Sequence, residues 1–267
     1  MTPGAAVLLA ATALAASAAS AQDLQTRVRD AGDDRVVFGF PARPGVCGAG
    51  DAIVIREADG STMLLSGRGS RGDWRSWRSG ESPCEVGGVV VAATRSGATL
   101  TNVRVRVGRP DASSGGALVG TAAGQEAADY LLAVAGHAAA PDARDLILAA
   151  ALAGDAVRWP GLVRLAKDRA LPAATRKAAL HWLGREAAAE AARELGGIVR
   201  DRTEEDEVRE AAVFALSRLP RDQAVTLLIE VVRTVPEARI RSRALFWLAD
   251  LDDPRAIALF EEILTRG

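Results

Sequence analysis

A segment that occurs three times near the C-terminus limits the fold more than any other feature of the chain. The copies are Thr175–Gly184, Val208–Ser217 and Ile240–Ala249, and they begin 33 and 32 residues apart. Every copy has Arg at position two, Ala at position five and Leu at position nine. Repetition with this period is typical of stacked helical arrays.

Positions one, five and nine of each copy share one face of a helix, because they are four residues apart. One helix cannot bury this stripe alone, so a second helix in each repeat must cover it. The segments between and after the copies predict those covering helices: Ala187–Arg200, Arg221–Arg233 and Pro254–Thr265. Ala122–Ala135 and Asp142–Leu152 predict a weaker first repeat. The array should therefore contain about four helix pairs and a final helix.

The segment Val208–Leu216 and the run Leu251–Ile257 resemble HEAT repeats of the short kind found in phycobilisome lyase-like proteins. The resemblance covers roughly the C-terminal 150 residues and implies an all-α solenoid over residues 118–267. It also implies that the second helix of each pair lines the concave side of the solenoid. It implies no lyase activity, because the chain shows no bilin-binding pattern.

The first 21 residues have the pattern of a secretory signal peptide. Residues 5–16 are almost entirely apolar, and Ala19–Ala21 fits the small-residue rule for cleavage. The alternative is an uncleaved N-terminal helix, because no Lys or Arg precedes the apolar run. We expect the mature chain to begin near Gln22 and to be periplasmic or secreted, with no membrane span after cleavage.

Between residues 22 and 108 the helical period gives way to short strand-like segments. Five of them are rich in β-branched residues or alternate apolar with polar side chains: Val36–Phe40, Ala52–Arg56, Thr62–Ser66, Val86–Ala93 and Thr99–Val107. Ser96-Gly97 is a typical hairpin turn. We predict four or five antiparallel strands in one small sheet or sandwich, followed by a Pro- and Gly-rich linker at residues 109–117.

Cys47 and Cys84 are the only cysteines, and both fall in this β-domain. In an exported chain an even number of cysteines predicts a disulfide, which would stabilise the domain by roughly 3–4 kcal/mol. A metal site would need further ligands, and the two histidines, His137 and His181, are far from either cysteine in the sequence. We therefore predict a disulfide and no metal.

The predicted fold class is α+β with two domains: a small disulfide-linked antiparallel β-domain at 22–108, then an all-α HEAT-like solenoid at 118–267. The chain has 33 basic and 34 acidic residues, a formal net charge of −1. The chain therefore lacks the excess of positive charge that is typical of nucleic-acid-binding proteins. The sequence also lacks a phosphate-binding loop, a nucleophile elbow and a zinc-protease motif, so we expect no cofactor and no enzymatic activity.

Positions three, seven and eleven of the copies point away from the buried stripe and define a candidate partner-binding face. These residues are Lys177, His181, Arg185, Glu210, Phe214, Arg218, Ser242, Phe246 and Asp250. Aromatic and Arg side chains are enriched at protein interfaces, so the rings at position seven predict a binding ridge. The other interpretation is that rings fill gaps between alanines. We favour gap filling for Trp182 and Trp247 at position eight and leave both interpretations open for Phe214 and Phe246.

These features favour a non-catalytic scaffold that binds a protein partner on the concave face. One alternative is a ligand- or envelope-polymer-binding module that acts through the β-domain, where Trp74 and Trp77 form a candidate stacking platform. The second alternative is a lyase-like enzyme of unrecognised class, in which His181 would be the candidate base. A histidine next to Trp182 is more typical of a helix face than of a general base.

Overall fold

The computed structural model of the chain describes residues 23–49, 52–57, 60–66, 86–111, 115–186 and 188–266. Within these ranges the strands are β1 (Arg35–Phe40), β2 (Val46–Ala49), β3 (Ala52–Arg56), β4 (Thr62–Ser66), β5 (Gly88–Ser96), β6 (Thr99–Gly108) and β7 (Ala117–Thr121). The helices are α1 (Leu24–Arg29), α2 (Gly124–Ala135), α3 (Ala140–Ala151), α4 (Trp159–Lys167), α5 (Ala173–Leu183), α6 (Ala189–Arg200), α7 (Asp206–Ser217), α8 (Arg221–Thr234), α9 (Ala238–Asp250) and α10 (Pro254–Arg266). None of these described helices has the length and apolar run that crossing a membrane requires.

The described strands form two sheets. β6, β5, β1 and β7 lie side by side in one sheet, and β2, β3 and β4 in the other. The five strand segments predicted from the sequence are confirmed apart from small shifts of their ends, and Gly97 makes the β5–β6 turn with a φ of 60°. β2 and β7 are additional, and β7 runs parallel to β1. The prediction of four or five strands, all antiparallel, is therefore wrong in number and in orientation.

Because of β7, the boundary between strands and helices lies later in the chain than predicted. The sequence predicts a linker at 109–117 and a solenoid from residue 118, but β7 extends to Thr121 and the helical array begins with α2. None of the β7 side chains is fully buried, so the β7 sequence shows little of the alternation that identifies a strand. This segment becomes a strand because it pairs with the edge of β1, about 80 residues earlier in the chain.

The two sheets pack against each other through β6. β2 and β3 both contact β6, and a Cβ added to Gly48 would lie 3.1 Å from the Val107 side chain. Cys47, next to this contact on β2, is buried. Its predicted partner Cys84 lies outside the described residues, so the disulfide stays a prediction. The predicted signal peptide, Trp74 and Trp77 also lie outside the described residues.

Helices α2 to α10 form two layers. α3, α5, α7 and α9 contact one another in that order, and α2, α4, α6, α8 and α10 do the same in the second layer. The three repeated segments lie on α5, α7 and α9, and the helices predicted to cover them are α6, α8 and α10. Positions one, five and nine have no exposed area in any copy: Thr175, Ala179, Leu183, Val208, Ala212, Leu216, Ile240, Ala244 and Leu248. The predicted register of the repeat is therefore confirmed.

The strands and the helices share one hydrophobic core. α3 packs on β6, where the main-chain N–H of Val103 donates to Asp142 Oδ1 at 3.2 Å. Close by, Thr99 Oγ1 donates to the carbonyl oxygen of Val134 at 3.2 Å. The strands therefore cover the first helix pair, and the array needs such a cover because an end repeat cannot bury its own apolar face.

The Arg at position two links neighbouring repeats. Arg176 and Arg209 are buried, and the Nε of each donates to a main-chain carbonyl ten residues earlier, 2.9 Å away. Arg176 Nη1 also donates to Glu204 at 2.9 Å, and Arg209 Nη2 donates to Glu237 at 3.1 Å. Each carboxylate stands 28 residues after its Arg, just before the helix of the next copy. We call each Arg–Glu pair a rung.

Candidate interaction surface

Five rings from α5, α7 and α9 form a continuous row across three repeats. They are Trp182, His181, Phe214, Trp247 and Phe246, and we call them the aromatic row. In this order the centroids of successive rings lie 5.2, 6.1, 4.9 and 5.0 Å apart. Every ring occupies position seven or eight of its copy, so the repeat itself aligns them.

Exposure separates the members of the aromatic row. Trp182 is only 6% exposed and packs in the core, as the gap-filling interpretation predicts. His181, Phe214 and Trp247 are half-buried, whereas Phe246 is 59% exposed. A single exposed ring is common on proteins, but Phe246 continues a row of rings. Its exposure therefore favours contact with another molecule over gap filling.

Burial among the other rings lowers the pKa of His181 to about 4, and the nearby charges of Arg185 and Arg218 act in the same direction. The imidazole is therefore neutral at neutral pH, and it stacks on Phe214 with 21° between the ring planes. A group with this pKa is a weak base for proton abstraction at neutral pH. In the part of the chain that the structure describes, no three His, Cys, Asp or Glu side chains gather to suit a metal ion. The surface is suited to stacking and to attracting anions.

We expect His181 to make the free energy of unfolding fall by about 1–2 kcal/mol between pH 7 and pH 5. Its folded pKa of about 4 lies below the ordinary value of 6.5, so in this range mainly the unfolded chain gains the proton. Solvent that reaches a half-buried ring keeps the loss below the full value. His181→Phe keeps a ring in the aromatic row and does not titrate. Urea unfolding at both pH values should show a smaller loss in this variant, and equal losses would contradict the assignment.

Two arginines lie toward the C-terminal ends of the helices that carry the aromatic row. The guanidinium carbon of Arg185 lies 5.6 Å from the Trp182 ring centroid, a cation–π contact. Arg218 is exposed, and its side chain makes no hydrogen bond or ion pair with the other described residues. Both arginines lie close enough to His181 to affect its pKa. This end of the surface is therefore positive.

Toward the N-terminal ends of the same helices, one carboxylate is shared by two arginines. Glu210 on α7 pairs with Arg239, and with Arg243 at 3.1 Å, both from α9. The Glu210 side chain is 14% exposed, whereas those of Arg239 and Arg243 are 64% and 47% exposed. Lys177 on α5 donates to Glu207 on α7 at 2.8 Å. A positive charge in excess therefore remains beside Glu210 and faces solvent.

These charged groups and two of the rings enclose a groove of about 380 Å³. Its lining comes from α5, α7 and α9: Lys177, Glu207, Glu210, Ala211, Phe214, Arg239, Arg243 and Trp247. Phe214 and Trp247 are its aromatic wall, and the ion-paired side chains supply its polar rim. Apolar walls with a few fixed polar groups are typical of binding sites.

A second groove, of about 480 Å³, lies between α2 and α4, away from the aromatic row. Gln125 closes one side of it: its amide accepts from the main-chain N–H of Val157 at 2.8 Å and donates to Asp129 at 3.0 Å. The amide of Gln125 is therefore already satisfied within the protein and offers less to a ligand than a free polar group would.

The structure brings seven of the nine predicted residues together along α5, α7 and α9, in different roles, and leaves Ser242 and Asp250 on the exposed face of α9. His181, Phe214 and Phe246 belong to the aromatic row, and Lys177 and Glu210 line the groove. The remaining four lie toward the C-terminal ends of the helices or on the exposed face of α9: Arg185, Arg218, Ser242 and Asp250. Four groove residues are absent from the predicted set: Glu207, Ala211, Arg239 and Arg243.

Those four residues occupy positions zero and four of the copies, where position zero directly precedes position one. The predicted residues are spaced in steps of four, whereas a helical turn contains 3.6 residues. A face of a helix therefore also includes neighbours at steps of three. Adding those steps would have included positions zero, four and eight. Trp247, at position eight, is thus a groove residue rather than only a gap filler.

Residues 199–267 match the family model of HEAT repeats, which supports a HEAT-repeat protein. The matched range contains α7 and α9, which carry Phe214, Phe246 and Trp247. HEAT repeats commonly mediate protein–protein interaction. No curated protein matches the chain.

Proposed function

We propose that the chain is a non-catalytic scaffold that binds a protein partner on the surface formed by the aromatic row and the groove. The observation that carries this proposal is the exposed ring of Phe246, at the end of a row that spans three repeats. Aromatic side chains are the commonest anchors of protein interfaces, and arginines are enriched around them. The HEAT repeats of this part of the chain support the same class of function.

We place this surface on the concave side of the solenoid. α5, α7 and α9, which carry the copies, make their largest contacts in sequence order with the helices just before them, α4, α6 and α8. Each copy is therefore the second helix of its pair, and the resemblance to HEAT repeats implies that second helices line the concave side. A concave face of this kind would surround a partner segment and bury the rings against it.

Capture of partners from an envelope extract tests the proposal, with residues 22–267 as bait. Phe246→Ala should lower capture of a specific partner at least tenfold, as expected when an aromatic anchor is truncated. Ile257→Ala is the matched control, because Ile257 is 52% exposed but lies on α10, in the other layer. Both baits should keep the helical circular dichroism of the unmodified protein.

Equal capture by both variants would remove the aromatic row from the interface. The leading hypothesis would then be the alternative function, a ligand- or polymer-binding module that acts through the strands. Its test is Trp74→Ala with Trp77→Ala in the full chain, because β7 and the contact of α3 with β6 make a fragment that ends at residue 108 incomplete.

We further propose that the chain is exported to the periplasm or secreted. The apolar run and cleavage pattern within residues 1–21 and the two cysteines support this location. N-terminal sequencing of protein from the envelope fraction should read from Gln22. A chain that begins at Met1 in the cytoplasmic fraction would contradict export.

A further inference from the structure

We infer that the partner segment bound at the aromatic row is acidic, with carboxylates on both sides of an apolar or aromatic side chain. This inference rests on the proposed function and adds the chemistry of the partner. In the bound state the apolar side chain packs on Phe214 and Trp247 in the groove. The carboxylates of the partner segment pair with Arg239 and Arg243 at one end of the helices and with Arg218 at the other.

The charge of the surface is the first reason. It carries five cations, Lys177, Arg185, Arg218, Arg239 and Arg243. The same surface carries three carboxylates, Glu207, Glu210 and Asp250. Its net charge is therefore +2. The whole chain, in contrast, has a formal net charge of −1. A positive surface on a slightly negative protein attracts acidic partners and repels basic ones.

The arrangement of the ion pairs is the second reason. Lys177 is matched by Glu207 at 2.8 Å, whereas Glu210 alone faces both Arg239 and Arg243. The side chains of Arg239 and Arg243 at the groove rim are 64% and 47% exposed. A second carboxylate can therefore join this cluster without displacing Glu210. Carboxylates bind guanidinium groups through paired hydrogen bonds, which fix the orientation of the incoming segment.

The distribution of charge along the surface is the third reason. Arg218 is exposed toward the opposite end of α7 from Glu210, and Phe214 lies between them in the sequence of that helix. His181 adds no charge at neutral pH, because burial holds its pKa at about 4. Cations thus outnumber carboxylates at both ends of the apolar centre, with Arg185 and Arg218 against Asp250 at the C-terminal end. A segment with this pattern reversed in sign, acid–apolar–acid, is complementary to it.

A random dodecapeptide display library, panned on immobilised residues 22–267, tests the inference. Peptides retained by the unmodified protein should show Asp and Glu enriched about threefold over the starting library, around an aromatic or aliphatic residue. Arg218→Glu should lower retention of those peptides at least tenfold, because it replaces an exposed cation by an anion. Arg164→Glu is the matched control, since Arg164 is an exposed arginine on α4, in the other layer. Both variants should melt at the temperature of the unmodified protein.

A Phe246→Ala bait separates the two possible failures. Peptides that need Phe246 but show no acidic enrichment would overturn the acidic partner and leave protein binding at the aromatic row in place. The absence of any peptide that needs Phe246 would overturn both the acidic partner and the proposed function. Acidic peptides retained equally by the Arg218→Glu and Arg164→Glu baits would overturn the placement of the carboxylates along this surface.

Discussion

Leu216→Asp is expected to unfold most of the helical array. Leu216 is at position nine of its copy and has no exposed area, on a helix that lies between α5 and α9. The substitution places a carboxylate without a partner in an apolar layer and also removes the packing of the Leu side chain. We expect a loss of roughly 4 kcal/mol or more, which is comparable with the whole stability of many domains. Thermal and urea unfolding followed by circular dichroism at 222 nm measures it.

Leu264→Asp provides the control for Leu216→Asp. It makes the same chemical change at a leucine that is 82% exposed on α10. Its effect should stay within about 0.5 kcal/mol, as for most surface substitutions. If Leu216→Asp melted within about 2 °C of the unmodified protein, the assignment of position nine to the layer between repeats would be wrong.

The register of the array could be predicted because it depends on short-range spacing. Positions one, five and nine lie within nine residues of each other, and each copy repeats the same choice of side chains. A helix that exposes this stripe to water is unstable, so the pattern alone identifies the buried face. α6, α8 and α10 follow for the same reason, since each covers the apolar stripe of a copy.

β7 and α1 could not be predicted in the same way. Ala117–Thr121 becomes a strand by pairing with β1, and Leu24–Arg29 is held by distant groups such as the carbonyl of Thr121, to which Arg27 donates at 3.0 Å. Partners about 80 to 95 residues away leave no periodic trace in either segment. Structure that depends on such pairing is decided by the tertiary fold rather than by local preference.

The candidate surface could be predicted from the sequence only in part. The spacing of the copies predicts that His181, Phe214 and Phe246 share a face, and the structure places them in one row. The groove depends instead on how neighbouring helices approach. Glu210 meets Arg239 and Arg243 only because α7 and α9 are packed side by side. No pattern within one copy indicates that one carboxylate is shared by two arginines.

The rungs show how a repeated residue can acquire its role from the next repeat. The sequence places Arg at position two in every copy, but the carboxylate that explains Arg176 lies 28 residues later. The rung also ties stability to pH. Hydrogen bonds from Arg176 lower the pKa of Glu204. The stabilisation is therefore present above the ordinary pKa of 4.5 and is lost as the pH falls through the lowered value.

Glu204→Ala is expected to destabilise the chain by about 3 kcal/mol, because it leaves the guanidinium of Arg176 buried without its main counter-charge. The side chain of Arg176 has no exposed area, and that of Glu204 is 5% exposed. Glu205 lies 3.6 Å from the same guanidinium and offsets part of the loss. Urea unfolding at pH 7 measures the effect.

Two further variants decide whether this loss belongs to the rung. Glu194→Ala breaks the exposed pair of Lys167 with Glu194 and should cost no more than about 1 kcal/mol. Arg176→Met combined with Glu204→Leu removes both charges and keeps apolar volume, so it should recover part of the stability lost in Glu204→Ala. A Glu204→Ala protein as stable as Glu194→Ala would mean that Arg176 finds other partners and that the rung does not hold neighbouring repeats together.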